Sequence, residues 1–362
     1  MEIGSIFEIS VEDLFVDENQ TFKLPFMDER KYNTVRLFNS GRSAIEYTFR
    51  HMKSKEVGKV LLPSFTCTSI VDAVKRAGWQ IDYYRITKEL RIDIGSVKDL
   101  LGKGFVDAIY VIQYFGGYQE PDTYAFLKEL QFDGVVLVED ISHALYTKHP
   151  QYIGFGDFVL GSIRKWLPIP DGAFLATDCM LPSVPIESGC SDYSFLYFVA
   201  QIMKSAYLQD KRLKKERFLD VAQAATSSLF SDYTIREISP ISRRYLTSYN
   251  MHEVVERRIK NYDYLVDNTK HLLHIKPVFA RLPGQVPIGF TILSNERDSL
   301  LEFLVRNDVY CNVHWRISDA CISADPVAAQ ISESILTIPC DQRYSEKEMD
   351  YVIQVLERFW GT

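Results

Sequence analysis

The chain has 362 residues with 41 Lys+Arg against 48 Asp+Glu, 46% hydrophobic and 25% charged residues, and a formal net charge of −7. That is the composition of a globular protein large enough for one big domain and a smaller one. The absence of a long Lys/Arg block excludes nucleic acid as a main partner, and apolar stretches such as Val135 to Val138 fall far short of the ~20 residues of a membrane span. Met1 to Glu18 is acidic where an export signal is basic and then apolar, and the six scattered cysteines (Cys67, Cys179, Cys190, Cys311, Cys321, Cys340) lack C-x-x-C spacing; reduced thiols and a cytoplasmic location are expected.

From about Leu37 to Thr177 short β-rich runs alternate with helical patterns, the mark of a mostly parallel sheet covered by helices. Strands are expected at Lys59–Leu62, Gln80–Arg85, Ala108–Gln113, Gly134–Glu139, Phe158–Ser162 and Ala173–Thr177, several of them nearly all apolar as doubly covered strands should be. Helices are expected at Ser40–Met52, Thr68–Arg76 and, after Pro121, at Asp122–Leu130. A helical region follows from Tyr193 to about His274, whose basic runs Lys211–Arg217 and Arg257–Lys260 read as solvated faces. Beyond it Val278–Arg281, Ile288–Leu293, Val309–His314 and Ile335–Ile338 read as strands and Ser345–Phe359 as a closing amphipathic helix. The expected organisation is an N-terminal segment (1–30), a large α/β domain (31–240) and a smaller C-terminal α/β domain (241–362).

The residues that could carry chemistry cluster at predicted strand ends. Val135–Ala144 is a buried strand that delivers Asp140 and His143 at its carboxyl end, where ligand crevices of open α/β sheets lie. Gly156–Pro168 contains another strand, running into Ser162 and Lys165, 25 residues past Asp140. Asn39 to Ile45 places Gly41, Arg42 and Ser43 at a helix start whose free N–H groups suit a phosphate. Singly, each has a plain reading: a cap, a polar histidine, a surface lysine, an ordinary helix start. Jointly they supply what a pyridoxal phosphate site needs, namely an amine to condense with the cofactor, a carboxylate for its ring nitrogen, a phosphate cradle and a polar neighbour for the ring. Cys311 and His314 have C-x-x-H spacing without a second ligand pair, so no metal is expected.

In order along the chain, Leu37–Ala44, Val60–Thr66, Tyr114-Phe115-Gly116, Glu139–Ala144, Gly156-Asp157, Ser162–Lys165 and Asp171-Gly172 resemble the DegT/DnrJ/EryC1/StrS family of PLP-dependent sugar aminotransferases. The resemblance implies the PLP-dependent transferase fold of type I (aspartate-aminotransferase-like), with pyridoxal 5'-phosphate as cofactor. It implies that Lys165 is the lysine that holds the cofactor, Asp140 the partner of its ring nitrogen, His143 the side chain beside its ring oxygen, and Ser162, Arg42 and Ser43, with Gly41, its phosphate contacts. Cys67 occupies the position where the family often stacks an aromatic residue on the ring, and reads as van der Waals filler. Tyr193–Phe230 is longer and more helical than the family's connection. The segment Gly-Tyr-Asn-Tyr-Arg, which reaches a neighbouring subunit, has only Tyr233-Thr234-Ile235-Arg236 in its place.

The expected activity is transfer of an amino group from an amino acid, glutamate by resemblance, to a keto-sugar linked to a nucleotide, as in polysaccharide biosynthesis. A homodimer is expected, with Arg236 to Arg244 the basic stretch that could approach the partner's phosphate site. Retention of a lysine at 165 favours transamination over dehydration, for which the related enzymes carry histidine. Two other readings stay open at this stage: a PLP-fold regulator or scaffold without turnover, and an aminotransferase for a non-sugar keto substrate.

Overall fold

The computed structural model describes residues 2–10, 32–52, 58–149, 151–181, 186–246 and 249–361. The expected N-terminal segment 1–30 thus lies outside the described residues from 11 onward.

The sequence pattern that dominates the first half is the run of aliphatic strands. They form one seven-stranded sheet from β2 (Thr34–Phe38), β3 (Lys59–Pro63), β4 (Gln80–Tyr84), β5 (Ala108–Ile112), β6 (Val136–Asp140), β7 (Phe158–Ser162) and β8 (Ala173–Thr177), in the order β2-β8-β7-β6-β5-β3-β4. The five strands from β7 to β4 are parallel, and β8 runs antiparallel to both its neighbours. Every residue of β5, β7 and β8 is buried, which is why these strands read as continuous rather than alternating. Helices α1 (Gly41–His51), α2 (Thr68–Arg76), α3 (Ile94–Leu101) and α4 (Pro121–Phe132) fill the crossovers, and separate apolar cores lie on the two faces of the sheet. Gly161 is required within β7 because a Cβ there would stand 2.3 Å from the Phe174 ring. The register pairs Ile112 with Asp140 and Asp140 with Leu160, so Asp140 and Ser162 reach the same edge of the sheet.

Two long helices, α5 (Asp192–Gln209) and α6 (Lys215–Ser231), then pack on each other as a hairpin, followed by α7 (Pro240–Tyr245) and α8 (Met251–Asn268). The C-terminal part builds a three-stranded antiparallel sheet from β9 (Lys276–Pro277), β10 (Phe290–Leu293) and β12 (Ile335–Ile338), with a third core beneath α9 (Arg297–Arg306) and α12 (Glu346–Trp360). The chain's opening strand β1 (Ile3–Gly4) pairs in parallel with β11 (Val309–Tyr310), and Gly4 N donates to Tyr344 Oη at 2.6 Å, which stitches the N-terminus to the C-terminal part. Helices α10 (Asp319–Ala324) and α11 (Pro326–Ser334) lean back onto the large sheet's core.

The expected strand at Val278–Arg281 does not form. Pairing with β10 stops at Pro277, with one further bond from Val278 N to Thr291 O. The chain then turns, because Phe279 stacks on Tyr262 and Arg281 is pulled into an ion pair with Asp263. Nor is Arg257–Lys260 a solvated face throughout: Arg258 is buried over the Trp166 ring, 4.7 Å from its centroid, and donates to Gln342 Oε1 (2.8 Å) and the Ile288 carbonyl (2.9 Å). All six cysteines are free thiols. Among the described residues no helix is long and apolar enough to cross a membrane, and no cluster of side chains could hold a metal ion.

Candidate active site

The carboxyl edge of the parallel strands opens into a cavity of about 460 Å³. Its base is formed by the ends of β5, β6 and β7 with the N-termini of α1 and α2. One side comes from Trp315, and the cover from α6. Of the residues singled out from the sequence, Gly41, Arg42, Cys67, Asp140, His143, Ser162 and Lys165 line this one cavity.

Asp140 is the last residue of β6 and points into the cavity, while Glu139, one residue earlier, points to the opposite face. There Glu139 accepts from Gly154 N, Phe155 N and Gly156 N at 2.8 to 3.2 Å. A Cβ at Gly156 would stand 2.8 Å from the Glu139 Cβ, and Asp157 Oδ2 accepts from Leu137 N at 2.7 Å; the Gly156-Asp157 motif therefore locks β6 from behind. On the cavity side the Asp140 carboxylate is held from two directions. Ser142 N donates to Oδ1 at 2.8 Å, and the Tyr110 hydroxyl, on β5, donates to Oδ2 at 2.8 Å. Burial and the neighbouring Asp140 charge raise the Tyr110 phenol well above its ordinary value, so it stays a donor.

Lys165 ends the single 3-10 turn Ile163–Lys165 that follows β7, and its Nζ lies 3.1 Å from His143 Nε2. Burial lowers the Lys165 pKa, and it lowers that of His143 still further with help from the Lys165 and His314 charges. His314, arriving from the C-terminal part, packs edge-on to His143 at 5.1 Å and is pushed down to about 3 by burial and then by Lys165. Trp315 stacks on His143 with centroids 5.0 Å apart. Among the described residues the buried His143 Nδ1 has no hydrogen-bond partner, a polar atom waiting for a ligand group.

The start of α1 lines the same cavity, with Gly41 facing Ser162. Ser40 caps the helix by accepting from Ser43 N at 3.2 Å, and the first-turn amides of Gly41 and Arg42 have no intrahelical acceptor. Ser43 stands behind this end with its hydroxyl donating to Asn39 Oδ1 at 2.7 Å, and it is Ser40 that meets the cavity. The Arg42 guanidinium donates to the Leu229 carbonyl and lies 4.9 Å from the Phe230 ring centroid, which ties the helix start to the cover. A ring-and-phosphate molecule fits this set: an anion cradle at one end, a fixed carboxylate, an amine of lowered pKa, and an unpartnered imidazole nitrogen.

Sequence reasoning did not single out Tyr110, Arg164, Tyr193, Tyr197 or the α6 residues. Tyr110 carried a signal, a polar-tipped side chain in an otherwise aliphatic strand, and Arg164 another, a cation beside Lys165 at the end of a buried strand. Arg236 is engaged within its own chain, with ion pairs to Glu187 and Asp232.

No family model matches this sequence, and no curated protein matches it. Solved structures do. Helicobacter pylori PseC, an aminotransferase involved in the biosynthesis of pseudoaminic acid, aligns over 99% of both chains with a TM-score of 0.67 and 14% identity. A DegT DnrJ EryC1 StrS aminotransferase from Brucella abortus aligns over 91% of this chain and 87% of its own, with a TM-score of 0.64 and 15% identity. The sugar aminotransferase CalS13 from Micromonospora echinospora gives 0.62 and 13% over 90% and 87%. Likeness at such identities establishes architecture: the chain has the fold of the type I PLP-dependent aminotransferases, the α/β fold expected from its sequence.

Proposed function

We propose that the protein is a pyridoxal-phosphate-dependent aminotransferase that moves an amino group from an amino acid, glutamate first among them, to a keto-sugar carried on a nucleotide. The observation that carries this reading is the convergence on one cavity of Lys165, its neighbour His143 at 3.1 Å, and an Asp140 carboxylate fixed by Tyr110 and Ser142. The sugar as acceptor is supported by CalS13, a sugar aminotransferase of the same fold.

Bound here, pyridoxal phosphate supplies a protonated ring that draws electrons from the amine-bearing carbon of the substrate. In this reading Asp140 holds the proton on the ring nitrogen, and its two hydrogen bonds prevent the carboxylate from turning away. Gly41, Arg42, Ser40 and Ser162 hold the phosphate at the positive end of α1, while Ser43 orients Asn39 and Ser40. Lys165 Nζ takes the proton from the substrate's amine-bearing carbon; its burial favours the neutral, basic form that this task requires. Cys67 and Trp315 fill the walls and exclude water. A homodimer belongs to the same proposal, supported by the exposed Phe195 and Phe230 on the α5–α6 hairpin.

Borohydride treatment of the purified protein followed by peptide mass spectrometry tests the assignment, with a pyridoxyl group on Lys165 as the expected product. Addition of L-glutamate to untreated protein should release 2-oxoglutarate in proportion to protein. A pyridoxyl group on another lysine would overturn the site, and cofactor at Lys165 without release of the keto acid would overturn the activity.

A further inference from the structure

A second cavity, of about 440 Å³, opens onto Lys165 from the side of the C-terminal part. It is distinct from the first, yet Ile6, Arg164, Lys165 and Tyr197 line both. The first cavity is bounded by Ala222, Leu229 and Phe230 of α6, whereas the second is walled largely by polar groups, among them Arg258, Arg343, Asn312 and His314.

The cations of this second chamber are not equally satisfied. Arg343 is matched by Asp341 through Nε–Oδ1 (2.8 Å) and Nη2–Oδ2 (2.9 Å), and by Glu8 at 3.2 Å. Arg258 has the Trp166 ring, Gln342 and the Ile288 carbonyl described above. Arg164 has no side-chain hydrogen bond and no ion pair among the described residues; its guanidinium lies 5.7 Å from the Tyr193 ring centroid and otherwise borders the two cavities. Asp171, a carboxylate whose field reaches Arg164, has its oxygens taken by the Ser194 and Ser239 hydroxyls at 2.5 and 2.9 Å. A guanidinium offers five N–H donors in a fork shaped for a carboxylate, and enclosing it without an acceptor is unfavourable. The position therefore calls for an anionic ligand, in a cavity that Lys165 also lines.

We propose that Arg164 and the second chamber form the subsite for the carboxylate of the amino donor, which reaches Lys165 from the C-terminal side while the acceptor approaches through the cavity beneath α6. The inference rests on the aminotransferase reading above and adds to it which residue recognises the donor and by which route it arrives. The carboxylate of an α-amino acid is one carbon removed from its amine, and Arg164 is the immediate chain neighbour of Lys165 on a wall common to both cavities. Binding the first brings the second to Lys165. The two-chamber arrangement also gives each substrate its own approach, so a small dicarboxylate and a bulky sugar need not be read by one set of contacts.

Glutarate, a dicarboxylate with no amine to react, is the probe, titrated calorimetrically into the full-length protein as purified. Arg164→Gln should weaken its binding about thirtyfold or more, the usual consequence of truncating one partner of an enclosed charge pair, and Arg164→Lys should recover part of it. The unsubstituted chain offers a second measurement: phenylglyoxal should label Arg164, and glutarate should protect it, as read by peptide mass spectrometry. Unchanged glutarate affinity in Arg164→Gln, or labelling of Arg164 that glutarate does not diminish, overturns the proposal. Loss of pyridoxal phosphate from Arg164→Gln with glutarate binding intact also overturns it, and would assign Arg164 to the cofactor's phosphate instead. The two readings fail separately: if borohydride finds no cofactor on Lys165 while glutarate still depends on Arg164, the activity falls and the anion subsite stands.

Discussion

The base and the cover of the main cavity are held in place by different physics. Asp140, Tyr110, His143 and Ser162 at the base are all at least nine-tenths buried, and their positions follow from strand register and from hydrogen bonds such as Tyr110 Oη to Asp140. Displacing any of them means disturbing the central sheet. The cover is lighter: of the 17 residues of α6 only Phe218, Ala222 and Ala225 are buried, and Phe230 at its cavity end is 54% exposed. Polar ties anchor the hairpin from outside, among them Arg42 to the Leu229 carbonyl, Lys204 Nζ to the Ile6 carbonyl at 2.6 Å, and Lys215 to Glu2 at 2.9 Å. A region with few buried apolar contacts opens at lower free energy than a sheet core. The base is thus suited to fixed chemistry and the cover to admitting and shaping a substrate.

The comparison would break first at Lys165. Lys165→Ala should remove the borohydride-trapped pyridoxyl group and reduce glutamate-dependent release of 2-oxoglutarate by about 10⁴-fold, the upper end for a single acid–base group. The circular dichroism of the variant should match the parent's, since Lys165 lies on a 3-10 turn beyond β7 rather than within the sheet. Asp140→Asn should slow the same half-reaction about a hundredfold, and Tyr110→Phe about tenfold, the latter matching one lost hydrogen bond to a charged group. If Tyr110→Phe were silent, the bond that fixes the Asp140 carboxylate would be packing alone.

The sequence made most of the base readable, Tyr110 excepted, and the cover not, for a local reason. Asp140, Lys165 and Gly41–Arg42 each sit where a strand or turn hands over to the next element, so their spacing within one segment announces a crevice. The contacts that complete the site come from far along the chain. Trp315 stacks on His143 across 172 residues, and Leu229 takes Arg42 across 187. Nothing in periodicity encodes such pairs. His314 and Cys311 drew attention through a metal-like spacing, whereas His314 proves to matter by facing His143. Arg258 was misread because charge in a helical run looks solvated until Trp166 and Gln342 are seen to enclose it. The strand expected at Val278–Arg281 failed for a similar reason, since Tyr262 and Asp263 on α8 capture Phe279 and Arg281.

An acid titration sharpens the same contrast at the base. His314 has an ordinary value of 6.5 and is held down to about 3 in the fold, and burial and nearby charge depress His143 in the same direction. In the unfolded chain both take up a proton below about 6.5, whereas in the folded chain they stay neutral. The unfolded state thus binds more protons, so stability falls as pH drops from about 6.5 towards 3, and below that the difference from His314 is complete. Thermal unfolding of the cofactor-free protein between pH 7 and 4 should show this slope, and His314→Gln should flatten it. An unaltered slope in the variant would mean that carboxylates alone govern the acid limb.

The smallest expected effect lies in the cover. Lys215, near the start of α6, has its pKa raised: burial works against the charge, but its bonds to Glu2 and Tyr310 and their fields outweigh it. Lys215→Met removes the tie between the hairpin and the chain's opening strand at a cost of about 1 kcal/mol, in the range for an ion pair that is neither fully exposed nor fully enclosed. Part of that cost arises because Glu2, whose side chain is only 4% exposed, is left without its counter-charge. Glu2→Gln combined with Lys215→Met should therefore restore part of the stability lost in the single variant. Hydrogen exchange locates the effect: amides of α6 should exchange faster in Lys215→Met while those of β6 and β7 keep their protection, and the yield of pyridoxyl-Lys165 should not change. Faster exchange in β6 or β7 would show that base and cover open as one unit, and the division of labour between fixed chemistry and adjustable cover would then have no mechanical basis.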